Sequence, residues 1–187
     1  MKVTPTSLPG VLIIETRAFE DKRGFFMETY HKKRYDKKGL DCIFVQDNLS
    51  HSIRGILRGL HYQLQHPQAK LVQVINGAIF DVAVDIRQGS PTFGKWTGVH
   101  ISDKNRHQIF VPEGFAHGFC VLSETANVIY KCTDFYAPDD ERGILWSDPG
   151  IGIDWPIAEP MLSDKDSHYP CLKDVPPERL PVYKDRA

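Results

Sequence analysis

No apolar stretch of membrane-spanning length occurs in this 187-residue chain, and the N-terminus, MKVTPTSLPGVLII, carries only a four-residue apolar run before Glu15. A bilayer-spanning helix needs about 20 apolar residues, and a secretory leader needs a longer apolar core than this one. The expectation is a cytoplasmic protein. Neither sign of charge dominates: 23 Lys and Arg stand against 24 Asp and Glu, a formal net charge of −1. That balance argues against a nucleic-acid coat or a polybasic membrane patch, so neither partner is expected. An anionic ligand must find its cations locally. Cysteine is scarce, and Cys42, Cys120, Cys132 and Cys171 form no C-x-x-C pair; they read as buried thiols in a reducing compartment. Helical periodicity is scarce too. The best candidate is 32–38, stopped by Gly39 in the C-cap role.

What the chain has in quantity is alternation with a period of two. Residues 11–14, 25–30, 43–48, 56–63, 70–76, 78–86, 95–101, 107–111, 116–122 and 126–132 read as short strands. They are broken at Gly24, Gly55, Pro67, Gly77, Gly89-Ser90-Pro91, 102–105 and Pro112-Glu113-Gly114. Thirteen prolines and 14 glycines, scattered along the chain, suit many strands and tight turns. The pattern predicts an all-β fold, a double-sheet jelly roll with a few short peripheral helices. One domain is expected over 1–187, with its core at about 10–170. From Tyr136 onward the composition turns irregular, which predicts ordered wrapping, then a C-terminal tail over 171–187 ending in a loose KDRA.

One stretch organises the chemistry. In GILRGLHYQLQHPQAKLVQVING, 55–77, a glycine is followed after five residues by His61, then Gln63, Lys70 and Gly77. This is similar to the first motif of a cupin, with Gln63 where that motif has a second histidine and Lys70 where it has glutamate. The second cupin motif is matched by Pro112, Gly114 and His117, with Val121 in place of asparagine. Metal-binding cupins hold a divalent ion with three histidines and a carboxylate. An ammonium at the carboxylate position repels such an ion, so no metal is expected, and a metal-dependent cupin enzyme is the less favoured alternative. Alternate strand residues share a face; His61 with Gln63, Lys70 with Val72 and Val74, His117 with Phe119, and Tyr130 with Val128 and Cys132 are expected to line one interior. A single strand histidine is more often a satisfied core partner than a functional group. A lysine that faces a barrel interior is a different matter, because it is costly unless an anion visits it.

The runs FEDKRGFFMETY, FVQDN, ILRGLHYQ, KLVQVINGAIFDVAVDIR, SPTFGKWTGVHIS, FVPEGFAHGF, YKCTDFY, ILWSDPGIGIDWP and LSDKD, in that order over about 10–170, resemble the dTDP-4-dehydrorhamnose 3,5-epimerase family. The resemblance implies cofactor-independent inversion of C3 and C5 of dTDP-4-dehydro-6-deoxy-D-glucose, a step toward dTDP-L-rhamnose. The C4 ketone acidifies both C–H bonds, so a base, an acid on the other face and a cation for the enolate oxygen suffice. By the same resemblance His61 is the base, Asp166 its orienting carboxylate, Lys70 the cation and Tyr130 the acid. His117 contacts the substrate. Arg23, Glu28, Gln46, Asp47, Asn48, Arg58, Tyr136, Glu141 and Lys165 bind the nucleotide end, with Tyr136 stacked on thymine. A homodimer is implied in which Arg23 and Glu28 complete the neighbouring site.

Two rivals stand beside this expectation: a relative that inverts only C3 or only C5, and a non-catalytic sugar-nucleotide binding module. The family tends to have small residues before the proline that follows LSDKD, and here the run is Ser167-His168-Tyr169-Pro170, which implies a differently shaped cover over the base. Asp81 and Asp85 alternate on one face of an apolar strand, and at least one is expected to face solvent. The working hypothesis sets one of them beside Lys70. His31, His51, His66, His100, His107 and His168 carry no motif support and are read as surface or structural.

Overall fold

A computed structural model describes residues 1–184; most of the terminal KDRA lies outside the described residues. Thirteen strands form: β1 (Lys2–Pro5), β2 (Leu12–Glu15), β3 (Ala18–Asp21), β4 (Gly24–Met27), β5 (Gln46–Ile53), β6 (Leu57–Gln63), β7 (Lys70–Asn76), β8 (Ala78–Asp85), β9 (Trp96–Ser102), β10 (His107–Val111), β11 (Phe115–Val121), β12 (Thr125–Cys132) and β13 (Glu141–Gly143). Two short helices join them, α1 (Lys32–Asp36) and α2 (Asp164–Ser167). The strands make a six-stranded sheet in the order β1-β2-β10-β7-β12-β5, a five-stranded sheet β13-β6-β11-β8-β9, and the separate hairpin β3-β4. All ladders are antiparallel. The all-β, two-sheet architecture expected from the alternation is the one observed.

Apolar alternation explains how the sheets stack. Val72, Val74, Ile109, Val111 and Val128 from the six-stranded sheet meet Ile79, Ala83, Ile101, Phe115, Phe119 and Val121 from the five-stranded sheet in one buried cluster. Each such aliphatic or aromatic side chain contributes about 1.5–3 kcal/mol on burial. The five-stranded sheet is covered on its outer face as well. There Leu57, Leu60, Val82, Val84 and Cys120 pack against Ile144, Leu172, Val175 and Leu180 from the C-terminal third. This double coverage is why β11 is buried along its whole length and why β8 reads as a nearly continuous apolar run. Residues 171–183 therefore belong to the packed structure. Their backbone is tied down as well, by Gln88 N to Pro181 O at 2.8 Å and Tyr183 N to Gln88 O at 2.9 Å.

Several elements depart from the sequence expectation. The helix ends at Asp36, two residues early, and the chain turns out through Gly39 at φ +89°, a conformation open to glycine. The strand expected at 43–48 runs instead over Gln46–Ile53, through Ser50, His51 and Ser52. It pairs with β12 from Gln46↔Cys132 to Ile53↔Thr125, and an available ladder outweighs local composition. Strands β1, β3 and β13 were not expected at all; each is four residues or fewer.

A close backbone approach lies between β6 and β11. A Cβ built on Gly59, whose φ is +123°, would stand 2.6 Å from Gly118 Cα and 2.8 Å from His117 O. The bare glycines let the two strands approach and shift register between His117 and Phe119, with His117 paired to His61. Gly59→Ala is expected to destabilise the fold by about 2–4 kcal/mol through backbone strain and overpacking. Urea unfolding followed by tryptophan fluorescence measures this, and a change under 1 kcal/mol would show that the approach is not needed.

Candidate active site

Between the sheets opens a cavity of about 850 Å³, within the range of small-molecule sites. Strands from both sheets line it: Arg58, His61 and Gln63 from β6, His117 and Phe119 from β11, Lys70 from β7, Tyr130 from β12, and Gln46 and Asn48 from β5. Tyr136, Glu141, Lys165 and Asp166 close the rim. The pleat sets most of this arrangement, because alternate residues of each strand turn the same way; Arg58 joins His61 in the cavity across the register shift between β6 and β11.

His61 is held by short contacts. Its Nε2 lies 2.6 Å from Asp166 Oδ1, and its Nδ1 lies 3.8 Å from Glu141 Oε1. Burial pushes the Asp166 carboxyl upward, but the bond and charge of His61, with smaller help from the Gly59 N–H and the Ser163 side chain, outweigh it and hold the carboxyl below its ordinary value. Ionised, Asp166 only accepts. Nε2 therefore carries the ring proton when the imidazole is neutral, and Nδ1 keeps a lone pair. Asp166 is delivered by α2, whose N-cap Ser163 accepts from Asp166 N at 3.1 Å.

A second histidine–carboxylate pair lies across the ladder. His117 Nε2 is 3.0 Å from both oxygens of Asp81, and both residues are buried. The expectation that Asp81 or Asp85 faces solvent is wrong, for both are fully buried. Asp85 serves a turn far from Lys70, accepting from Arg87, Ser90 and Thr92. Burying a carboxylate on an apolar strand is tolerated because each has its donors.

Lys70 differs from every other charged group in the cavity. No hydrogen bond or ion pair reaches its Nζ among the described residues. Burial lowers its pKa, and the charges of Cys132, Asp81 and Glu141 act the other way, favouring the ammonium. The hypothesis of an aspartate near Lys70 thus fits Asp81. The Tyr130 hydroxyl likewise has no hydrogen-bond partner among the described residues. Burial is the main influence raising its pKa, so it stays protonated at neutral pH. Glu141 ties the rim together, accepting from Tyr136 Oη at 2.8 Å and Lys165 Nζ at 2.6 Å. Arg58 is steadied by Ser52 Oγ at 3.0 Å. Among the described residues no group of three or more His, Cys, Asp or Glu side chains is arranged to hold a metal ion.

Three residues expected at the site lie away from this cavity. Asp47 sits between Gln46 and Asn48 on the opposite face of β5, where it pairs with Lys131 at 2.9 Å; strand alternation sends it outward. Arg23 lies on the exposed β3–β4 turn, bonded to Asp21. Glu28 pairs with Arg34 at 3.0 Å. Sequence reasoning also missed features that the fold assembles: Asp81 as partner of His117, Glu141 beside His61 Nδ1, and Tyr169, whose ring centroid is 5.8 Å from that of His61. The signals available were an acidic residue in an apolar strand for Asp81 and a bulky residue before Pro170 for Tyr169.

The family model for dTDP-4-dehydrorhamnose 3,5-epimerase matches residues 5–174. Among curated relatives, the chain is 56% identical over 168 residues to a dTDP-4-dehydrorhamnose 3,5-epimerase of Shigella flexneri, covering 89% of this chain and 93% of the other. It is 53% identical over 174 residues to one of Methanothermobacter thermautotrophicus, covering 91% and 94%. Among solved structures, it is similar at a TM-score of 0.96 and 49% identity to a dTDP-6-deoxy-D-glucose-3,5-epimerase of Legionella pneumophila in complex with dTDP-4-keto-L-rhamnose, with 98% of each chain covered.

The depressed Asp166 pKa fixes the sign of a pH effect. A carboxylate whose folded pKa lies below its ordinary value of 3.8 adds stability above that value, and the addition is lost as pH falls through the folded pKa. The native chain should therefore be more stable than Asp166→Asn by about 2 kcal/mol at pH 7, with the difference shrinking as pH falls below the ordinary value of 3.8 and through the lower folded pKa. Urea titrations of both proteins, carried from neutral pH down to about 2 so as to pass well below the ordinary carboxylate range, check this, and a difference independent of pH would contradict it.

Proposed function

We propose, from the premise that this chain belongs to the dTDP-4-dehydrorhamnose 3,5-epimerase family, that its cavity carries out that family's reaction with the residues just described. The chain is an isomerase that epimerises dTDP-4-dehydro-6-deoxy-D-glucose at C3 and C5, in dTDP-rhamnose biosynthesis. Relatives that share about half its residues carry the two-carbon name, which favours inversion at both centres over the single-carbon alternative. One observation carries the assignment of roles. A histidine tied at one nitrogen by a carboxylate, an ammonium without a counter-ion and a phenol without a partner all open on one cavity.

His61 takes the proton from C3, and in turn from C5, through Nδ1. The C–H electron pair becomes the enolate π bond, and negative charge settles on O4. Lys70 answers that charge in a site of lowered dielectric, where a fixed cation is worth more than in water. Asp166 holds the tautomer and stabilises the imidazolium once it forms, as carboxylates do for other catalytic histidines. Tyr130, kept protonated by burial, delivers a proton to the carbon. His61 stands on β6 and Tyr130 on β12, in the two facing sheets, an arrangement that suits acid and base on opposite faces of a sugar ring. His117, oriented by Asp81, meets the substrate near O4.

Gln46, Asn48, Arg58, Tyr136, Glu141 and Lys165 take the nucleotide end, Arg58 with paired donors for phosphate and Tyr136 by stacking on thymine. Arg23 and Glu28 reach the neighbouring site in a two-fold homodimer. Support comes from β5, an unpaired sheet edge whose outer face exposes Leu49 at 70% and Ile53 at 53%; exposed edges and apolar rows of this kind are commonly covered by a partner. The chain works as a single domain, with Leu172, Val175 and Leu180 packed on the sheet that carries His61 and His117. A cytoplasmic setting agrees with four free thiols, and among the described residues no helix is long and apolar enough to cross a membrane.

His61→Asn is expected to lower kcat/KM by at least about 1000-fold, as when a sole base is removed. Tyr130→Phe should abolish most net epimerisation while solvent deuterium still enters the substrate. Proton NMR in deuterated water follows both, with label expected at C3 and C5 in the native enzyme. Full activity in His61→Asn, or no exchange in Tyr130→Phe, would overturn the division of labour.

A further inference from the structure

His61 has neighbours on three sides, and Asp166 and Glu141 account for two of them. The third is Tyr169, its ring plane at 73° to the imidazole. Its place is set by a residue that has no side chain. In the β13–β6 ladder Gly143 stands directly opposite His61, so the position beside the imidazole that a cross-strand side chain would occupy is vacant. Tyr169 fills it from above: a Cβ on Gly143 would fall 2.3 Å from Tyr169 Cε2 and 2.5 Å from Cδ2 and Cζ. The segment bearing Tyr169 is pinned on both sides. Ser163 caps α2 upstream, and Leu145 N donates to Pro170 O at 2.8 Å downstream. The Tyr169 hydroxyl is buried and has no hydrogen-bond partner among the described residues. The hydroxyl therefore does not explain why a tyrosine stands here; the ring does.

The imidazole needs such a stop. Rotation about Cβ–Cγ swings Nδ1 through a wider arc than Nε2, so a hydrogen bond at Nε2 restrains the basic nitrogen incompletely. A tenth-nanometre displacement of a reacting group is enough to cost about 100-fold in rate. We infer that Tyr169 is a positioning residue, whose ring, laid over Gly143, holds the plane of His61 so that Nδ1 points at the substrate carbon. One three-residue spacing thus supplies both restraints, Asp166 on the outer nitrogen and Tyr169 on the flank. The inference rests on the reading of His61 as the base. The bland alternative is that the ring only covers a glycine on an edge strand, a known stabilising device, which would affect unfolding and leave turnover alone.

Four variants are assayed with the dTDP-4-keto sugar, scoring kcat, KM, solvent deuterium uptake and melting temperature. Tyr169→Ala should lower kcat and the deuterium uptake rate by 10- to 100-fold with KM within threefold. Tyr169→Phe should keep kcat within threefold, because the hydroxyl is unbonded. Gly143→Ala, which pushes the ring aside, should lower kcat like Tyr169→Ala, and the double variant should be no worse than the worse single, as for two changes acting through one contact. Tyr169→Leu replaces Tyr169→Ala if the latter does not fold, with the same expected loss. The inference falls if Tyr169→Ala or Tyr169→Leu keeps kcat within threefold while only the melting temperature drops. It falls equally if Tyr169→Phe loses as much as Tyr169→Ala, or if the Gly143 and Tyr169 effects multiply. His61→Asn, run in parallel, separates the two levels: activity retained there removes the base assignment itself, whatever Tyr169 does.

Discussion

An ammonium that faces a protein interior and, among the described residues, has no counter-ion in contact is the constraint on which this molecule turns. Desolvation disfavours the charged form of Lys70, and only the more distant charges of Asp81 and Glu141, with Cys132, oppose it. Closing an ion pair onto Lys70 would satisfy the ammonium and spend its charge before the substrate arrives. The fold instead gives each nearby carboxylate another partner: Asp81 is held by His117, Asp166 by His61, and Glu141 by Tyr136 and Lys165. In the proposed reaction the positive charge is thereby left for an oxygen that becomes negative only as the proton departs, which is how a fixed charge favours a transition state over a ground state.

Two sheets are needed to hold that arrangement. Lys70 and Tyr130 come from adjacent strands of one sheet, His61 and His117 from adjacent strands of the other, so the proposed base and acid stand on facing walls. The walls are rigid because the five-stranded sheet is packed on both faces, by the inner cluster and by the C-terminal wrapping. The glycines at 59 and 118 allow the two histidine-bearing strands to come close, and α2 brings Asp166 in from a segment more than 100 residues away in the chain. A site on stiff strands with one short helix as clamp is suited to keeping proton donors and acceptors within narrow tolerances.

Much of this was readable before any coordinates. The spacing of His61, Lys70 and His117 placed three groups around one interior, and the period-two pattern gave the sheets, because alternation is a direct print of burial on one face. The reading failed where local sequence was neutral. Residues 50–52 look like a loop and are strand because β12 offers them a ladder. Asp47 was grouped with Gln46 and Asn48 as one binding run, although in a strand the middle residue of three must point the other way. Asp81 and Asp85 were expected partly in water, since no local pattern announces a donor that lies across a sheet.

The order of short motifs along the chain was enough for the all-β class and for the family, and that resemblance supplied the proposed base, acid and cation. Class and family are legible because residue type and short-range spacing print burial and local chemistry directly on the sequence. The partner of each group was not contained in them: Asp81 for His117, Glu141 beside Nδ1 of His61, the ring of Tyr169 over Gly143, and, among the described residues, no hydrogen bond or ion pair for Lys70. Such pairings depend on strand register and on loops returning from far along the chain, and distances of a few ångströms between remote residues are set only when the sheets have closed.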